Sequence, residues 1–167
     1  MAVTWNPDPI LRTLTAEQLL AVLLFGEARG ETLDGQIAVA NVVRNRVYTT
    51  AANKRQSPGE LWLSIMLKPW AFSCFDNDGG NWNARKVVAF AQGLVQAHTH
   101  AQPVAQPVRQ LLWIASGALD DALPDLSRGA THYFVRNSPV PKWAAGRTPL
   151  QSLDSHDFYR LSDTSYV

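Results

Sequence analysis

Apolar residues along this chain gather in runs with helical spacing, broken by short polar or Pro-rich stretches. Leu and Val dominate Thr15 to Phe25, and Thr15-Ala16-Glu17-Gln18 has the form of a capping box, so a first helix is expected to begin near Ala16. Gly30 is placed to be its left-handed C-terminal residue, which puts Glu27 in the last turn. A second helix is predicted over Asp34 to Val47. There Ile37, Ala40, Val43 and Val47 form one stripe, Val39 and Val42 widen it, and Asn41, Asn45 and Arg46 occupy other faces. Tyr48 to Gln56 reads as a polar connector. Ser57-Pro58-Gly59-Glu60 again has capping-box form, opening a short helix through Leu67 that Pro69 ends.

Residues 68–83 alternate aromatics with hydroxyl, amide and carboxylate groups in an irregular stretch, a mixture suited to binding sugars, with residues 70–78 as a cleft wall, or else an ordinary surface loop pinned by its aromatics. Two further helices are predicted, one from an Asn83 cap to about His98 and one from about Val104 to Ala118, separated by Gln102-Pro103 and Gln106-Pro107. Trp113, on the second of these, reads as core. Thr131-His132-Tyr133-Phe134-Val135 is β-branched and aromatic, as a strand would be, and His156 to Leu161 is a second strand able to pair with it antiparallel. The Pro-rich residues 138–149 form the intervening loop, and residues 1–14 an extended N-terminal arm ahead of a single domain over 15–167.

Composition narrows the function. At 167 residues the chain is long enough for one core, and its 15 basic against 14 acidic residues argue against nucleic acid as the main partner. One cysteine, Cys74, excludes an internal disulfide. No apolar run approaches the ~20 residues of a membrane span. The N-terminus lacks the basic and apolar segments of a secretory signal, so manufacture in a host cytoplasm is expected.

The chemistry concentrates in Phe25-Gly26-Glu27-Ala28-Arg29-Gly30-Glu31. Glu27 sits one turn after Leu23 and Leu24 and faces the negative end of the helix dipole, a setting suited to a proton donor. Arg29 and Glu31 act on it in opposite senses. Against that stands the reading of Glu27 and Glu31 as solvated charges tied to Arg29.

Leu24 to Glu31, followed by Asp34-Gly35-Gln36-Ile37-Ala38-Val39-Ala40-Asn41-Val42-Val43 and Asn45-Arg46-Val47, resembles the signature of the SleB-type cell wall hydrolases. Ala71-Phe72-Ser73-Cys74, Gly129 to Phe134, Pro141-Lys142-Trp143-Ala144 and His156-Asp157-Phe158-Tyr159 follow in matching order, so the resemblance covers about residues 19–160. It implies an α+β, mainly α, lysozyme-like helical domain with a small antiparallel β-hairpin near the C-terminus. It also implies cleavage of peptidoglycan glycan strands, with Glu27 as the catalytic acid. Arg29, Glu31, Phe72, Ser73, Asp76, His132, Tyr133, Trp143 and His156 are the expected substrate-binding residues. A monomeric phage lysin released through a holin fits this picture. Ala71 departs from the pattern, since the family tends to carry Gln there.

Other constellations in the chain carry less. His98, His100, His132 and His156 lack a metal-binding arrangement, so no metal or cofactor is expected and a zinc amidase is disfavoured. Asp76-Asn77-Asp78-Gly79 begins like a calcium loop, yet Val87 falls where its closing Glu should be. Adjacent residues Ser155-His156-Asp157 cannot form a triad. Cys74 reads as a small buried residue before a thiol nucleophile. A non-cutting peptidoglycan-binding module is the rival class. For cleavage, a lytic transglycosylase needs only Glu27, whereas a muramidase needs a second carboxylate, for which Glu31, Asp76 and Asp78 are candidates.

Overall fold

The structure, a computed structural model, describes residue 5, residues 7–76 and residues 81–161. The expected capping box forms: Thr15 Oγ1 accepts from the Gln18 amide at 3.2 Å while the Gln18 side chain accepts from the Thr15 amide at 3.0 Å. It opens α1 (Ala16–Ala28). Every residue from Leu19 to Leu24 is fully buried. A helix apolar on all sides belongs inside, and α1 is the axis around which α2 (Leu33–Lys54), α3 (Trp62–Met66), α4 (Trp82–Thr99) and α5 (Gln106–Leu119) pack.

Several elements differ from expectation. Residues 9–13 are not an extended arm: Asp8 caps a 3-10 turn, Pro9–Thr13, and Leu11 and Leu14 enter the core. Gly30 is not a left-handed cap. The chain leaves α1 through Arg29 in right-handed conformation, φ −61°, because the Gln36 side-chain amide donates to the carbonyls of Ala28 at 3.2 Å and Glu31 at 3.4 Å. Those carbonyls need no left-handed turn to be satisfied. The polar stretch after Val47 continues α2 to Lys54, with Thr50 and Ala51 buried, and Arg55 at φ 53° stops it. Ser57 makes no capping bond; residues 58–60 close a 3-10 turn through backbone bonds instead. Asn81, not Asn83, caps α4 by accepting from the amides of Asn83 and Ala84. Trp113 is 55% exposed, since Leu111, Ile114, Ala115 and Ala118 already fill the inward stripe of α5.

The two expected strands pair antiparallel, β1 (His132–Val135) with β3 (His156–Tyr159), in the register His132↔Tyr159 and Tyr133↔Phe158. A third strand, β2 (Gln151–Leu153), comes from the end of the Pro-rich loop and gives the order β1-β3-β2. The result is mainly helical with a small antiparallel sheet near the C-terminus, the lysozyme-like class expected. Polar residues of α2 anchor the segment leading into β1. Arg44 pairs with Asp121 at 2.7 Å, Asn41 Oδ1 accepts from the Leu126 amide, and Asn45 donates to Asp125, Ser127 and the Ala130 carbonyl. Buried polar atoms with fixed partners of this kind set where a strand begins.

Candidate active site

The last turn of α1 brings Glu27 against a 3-10 turn, Ser73–Phe75. Its Oε1 accepts from the Cys74 backbone amide at 2.8 Å and from Ser73 Oγ at 3.2 Å. Gly26 makes this approach possible: a Cβ there would overlap the Cys74 Cβ and lie 2.8 Å from its Sγ. From the opposite wall, the Tyr133 hydroxyl donates to Glu27 Oε2 at 3.2 Å. Three donors therefore hold one half-buried carboxylate. Burial and the Glu27 charge push the Tyr133 phenol well above its ordinary 10.0, so it remains a donor. The same two causes push Cys74 up, and a buried neutral thiol is no nucleophile.

The sheet register explains the second wall. Tyr133 on β1 and His156 and Phe158 on β3 share a face, and the Tyr133 ring meets His156 edge-on at 5.2 Å. Behind His156 stands Glu31, whose Oε2 lies 3.7 Å from His156 Nδ1 and accepts from the Ser155 amide at 3.0 Å, while Oε1 accepts from Ser155 Oγ at 2.5 Å. On the other face, Trp143 packs against His132, Phe134 and Tyr159 at ring-centroid distances of 5.1, 5.8 and 5.5 Å.

Between these walls runs a groove. A cavity of about 410 Å³ is lined by Glu27, Phe72, Ser73, Tyr133, His156 and Arg46, among others. A second, of about 340 Å³, shares Arg46, Ala71 and Tyr133 with it and continues to Lys68, Trp70, His132 and Trp143. Arg46 is the joint. Its guanidinium is buried, donates from Nε to the Thr131 carbonyl at 2.6 Å and from Nη1 to that of Ala71 at 3.4 Å, and lies over the Phe72 ring. One side chain on α2 thus sets the spacing of the two walls.

Of the expected binding residues, Phe72, Ser73, His132, Tyr133, Trp143 and His156 line this groove. Arg29, Glu31 and Asp76 do not. Arg29 does not pair with Glu31: it donates to Asn83 Oδ1 at 2.7 Å and the Phe25 carbonyl at 3.0 Å, locking the end of α1 to α4. Glu31 braces the turn between β2 and β3. Asp76 accepts from Asn81 through its backbone carbonyl beside the cap of α4. Asp78 and the middle of the calcium-like stretch lie outside the described residues. Trp70 lies in the aromatic and polar stretch expected to wall the cleft, whereas Arg46 and Lys68 are groove residues that sequence reading did not select. A charged residue among the apolar positions of α2 was the available signal for Arg46; nothing local marked Lys68.

In this mainly helical domain the Glu27 carboxylate lines an aromatic-walled groove, an arrangement suited to an extended polymer. The sequence model of the cell wall hydrolase family matches residues 30–159, and the chain belongs to that family. The matched segment begins just after Glu27. Among curated proteins the chain is 28% identical to a spore cortex-lytic enzyme of Halalkalibacterium halodurans and 27% identical to one of Bacillus subtilis, in each case over 84% of this chain. It spans about a third of those relatives' length, 33% and 36%. Among solved structures it is similar to the catalytic domain of the Bacillus cereus SleB protein, with a TM-score of 0.53 and 25% identity over 87% of this chain and 90% of that one.

Proposed function

We propose that this chain cuts the glycan strands of peptidoglycan at the bond between N-acetylmuramic acid and N-acetylglucosamine, as a lytic transglycosylase with Glu27 as acid and then base. One observation carries the reading: among the described residues lining the groove, Glu27 is the single carboxylate. Its proton goes to the leaving glycosidic oxygen as the sugar takes oxocarbenium character. The resulting carboxylate accepts the proton of the muramic 6-hydroxyl, whose oxygen attacks the anomeric carbon and closes a 1,6-anhydro ring. Hydrolysis would instead require a second carboxylate ~5 to 5.5 Å or ~6.5 to 9.5 Å away, according to stereochemistry. Neither Glu31, whose carboxylate accepts from Ser155, nor Asp76 lines the groove.

The test is mass spectrometry of muropeptides released from purified sacculi by the wild type and by Glu27→Gln. Anhydro-muramic ends that disappear in the variant support the proposal. Reducing muramic ends would make the enzyme a muramidase. Free stem peptides, full activity in the variant, or binding without any loss of wall turbidity would overturn the glycan-cleavage reading.

A further inference from the structure

His156 is held in a way that the cleavage step does not use. Only 3% of the residue is exposed, yet it lines the same cavity as Glu27. Its Nδ1 is committed, lying 3.4 Å from Ser155 Oγ and 3.7 Å from Glu31 Oε2. The Ser155 hydroxyl gives its own proton to Glu31 Oε1 at 2.5 Å, so both oxygens near Nδ1 are acceptors and the ring hydrogen belongs on that atom. In the neutral ring the free lone pair is then on Nε2. Among the described residues Nε2 has no hydrogen-bond partner. The rings of Tyr133, edge-on at 5.2 Å, and Phe158, at 6.1 Å, keep the imidazole from turning. An acceptor on a buried side chain is costly unless something in the cavity donates to it. Across the strand pair Val135 stands directly opposite His156 and lines the same cavity, as does Phe72. An acceptor beside an apolar wall matches a secondary amide that ends in a methyl group. A sugar hydroxyl would meet the first requirement but not the second.

Resting on the glycan-cleavage reading, we propose that His156 and Val135 recognise the acetamido group of an N-acetyl sugar in the strand. His156 Nε2 accepts from the amide N–H, and the acetyl methyl lies toward Val135 and Phe72. Glu31 and Ser155 are positioning residues that set the tautomer of the ring.

The experiment compares kcat/KM on solubilised glycan strands with kcat/KM on the same strands after chemical N-deacetylation. The wild type should favour the acetylated strands by at least about tenfold. His156→Asn keeps an amide nitrogen toward Glu31 and Ser155 but has nothing at the place of Nε2, whereas His156→Gln reaches that place with an amide oxygen. The asparagine variant should shrink the preference to about threefold or less, and the glutamine variant should keep more of it. Val135→Ser, at a position 44% exposed, should shrink the preference without lowering Tm, and it decides alone if the His156 variants do not fold. Because each variant is read as a ratio of two strands, whatever the free amine does elsewhere in the groove cancels. Four results overturn the assignment: no preference in the wild type, a preference that survives His156→Asn, a glutamine variant no better than the asparagine one, or an unchanged preference in Val135→Ser. A purely structural role for His156 falls under the second, since it would slow both strands equally as Tm drops. Failure of the underlying reading shows separately, as continued wall cleavage by Glu27→Gln alone.

Discussion

Tyr133 and Glu27, 106 residues apart in sequence, meet at 3.2 Å, phenol hydroxyl to carboxylate Oε2. Nothing local demands this contact. It exists because α1 is buried as the axis of the domain and because Arg46 and Asn45 on α2 hold the start of β1 at a set distance from it.

Removing that donor should slow the chemistry without emptying the groove. Tyr133→Phe is expected to lower kcat by about tenfold to a hundredfold, the worth of one hydrogen bond to a charged group, with KM changing little. Steady-state kinetics on solubilised glycan strands checks it. Because burial and the Glu27 charge hold the Tyr133 phenol well above 10.0, it stays protonated below pH 9, and a rate loss there reports the missing donor and not a titrating phenol.

Glu31 is placed to stabilise, not to react. Glu31→Gln weakens the bonds from Ser155 and the approach to His156, and should cost about 1.5 to 3 kcal/mol of stability by removing a charged acceptor. The released products should keep the same chemical ends. Thermal denaturation alongside product analysis separates this from a second-carboxylate role, in which activity would vanish at unchanged Tm.

Gly26 is required by close approach. Gly26→Ala drives a methyl into Cys74 and Val87, and overpacking of this kind costs about 1 to 3 kcal/mol. Moving the Ser73–Phe75 turn also withdraws the Cys74 amide from Glu27, so activity should fall further than the stability loss explains. Denaturant titration compared with kcat at a temperature where the variant is fully folded tests both parts.

Alkaline pH should destabilise the fold. Cys74 and Tyr133 both have folded pKa values raised above their ordinary 9.0 and 10.0. Below pH 9 both are neutral whether the chain is folded or not, and their contribution is fully present. As pH rises past 9 and then 10, the unfolded chain sheds protons that the folded one keeps, so stability is lost with rising pH. A series of Tm values from pH 7 to 11 should fall above pH 9, and Cys74→Ala should flatten the first part of that fall.

The split between sequence and structure follows the range of the interactions. Thr15 and Gln18 are neighbours, so the start of α1 and the placing of Glu27 in its final turn could be read directly, as could the pairing of β1 with β3 from their composition. Capping at a distance could not. Gln36 satisfies the end of α1 from the next helix, so Gly30 is relieved of the turn its identity suggested, and Asn81 takes the cap that Asn83 leaves when Arg29 and the Gly26 carbonyl engage it. Trp113 looked like core because its residue type is usually buried, but the α5 stripe was already filled.

What the residues by themselves determined was the helical class, the small sheet and a carboxylate at the end of an apolar helix. Those depend on backbone propensity and on periodicity, which act within a few residues. Only the tertiary structure decided that Glu31 and Arg29 turn away from the groove to brace its surroundings, and that Lys68 and Arg46 join Tyr133 along it. Each of those outcomes is fixed by contacts between segments far apart in the chain, where burial and the satisfaction of polar groups outweigh local preference.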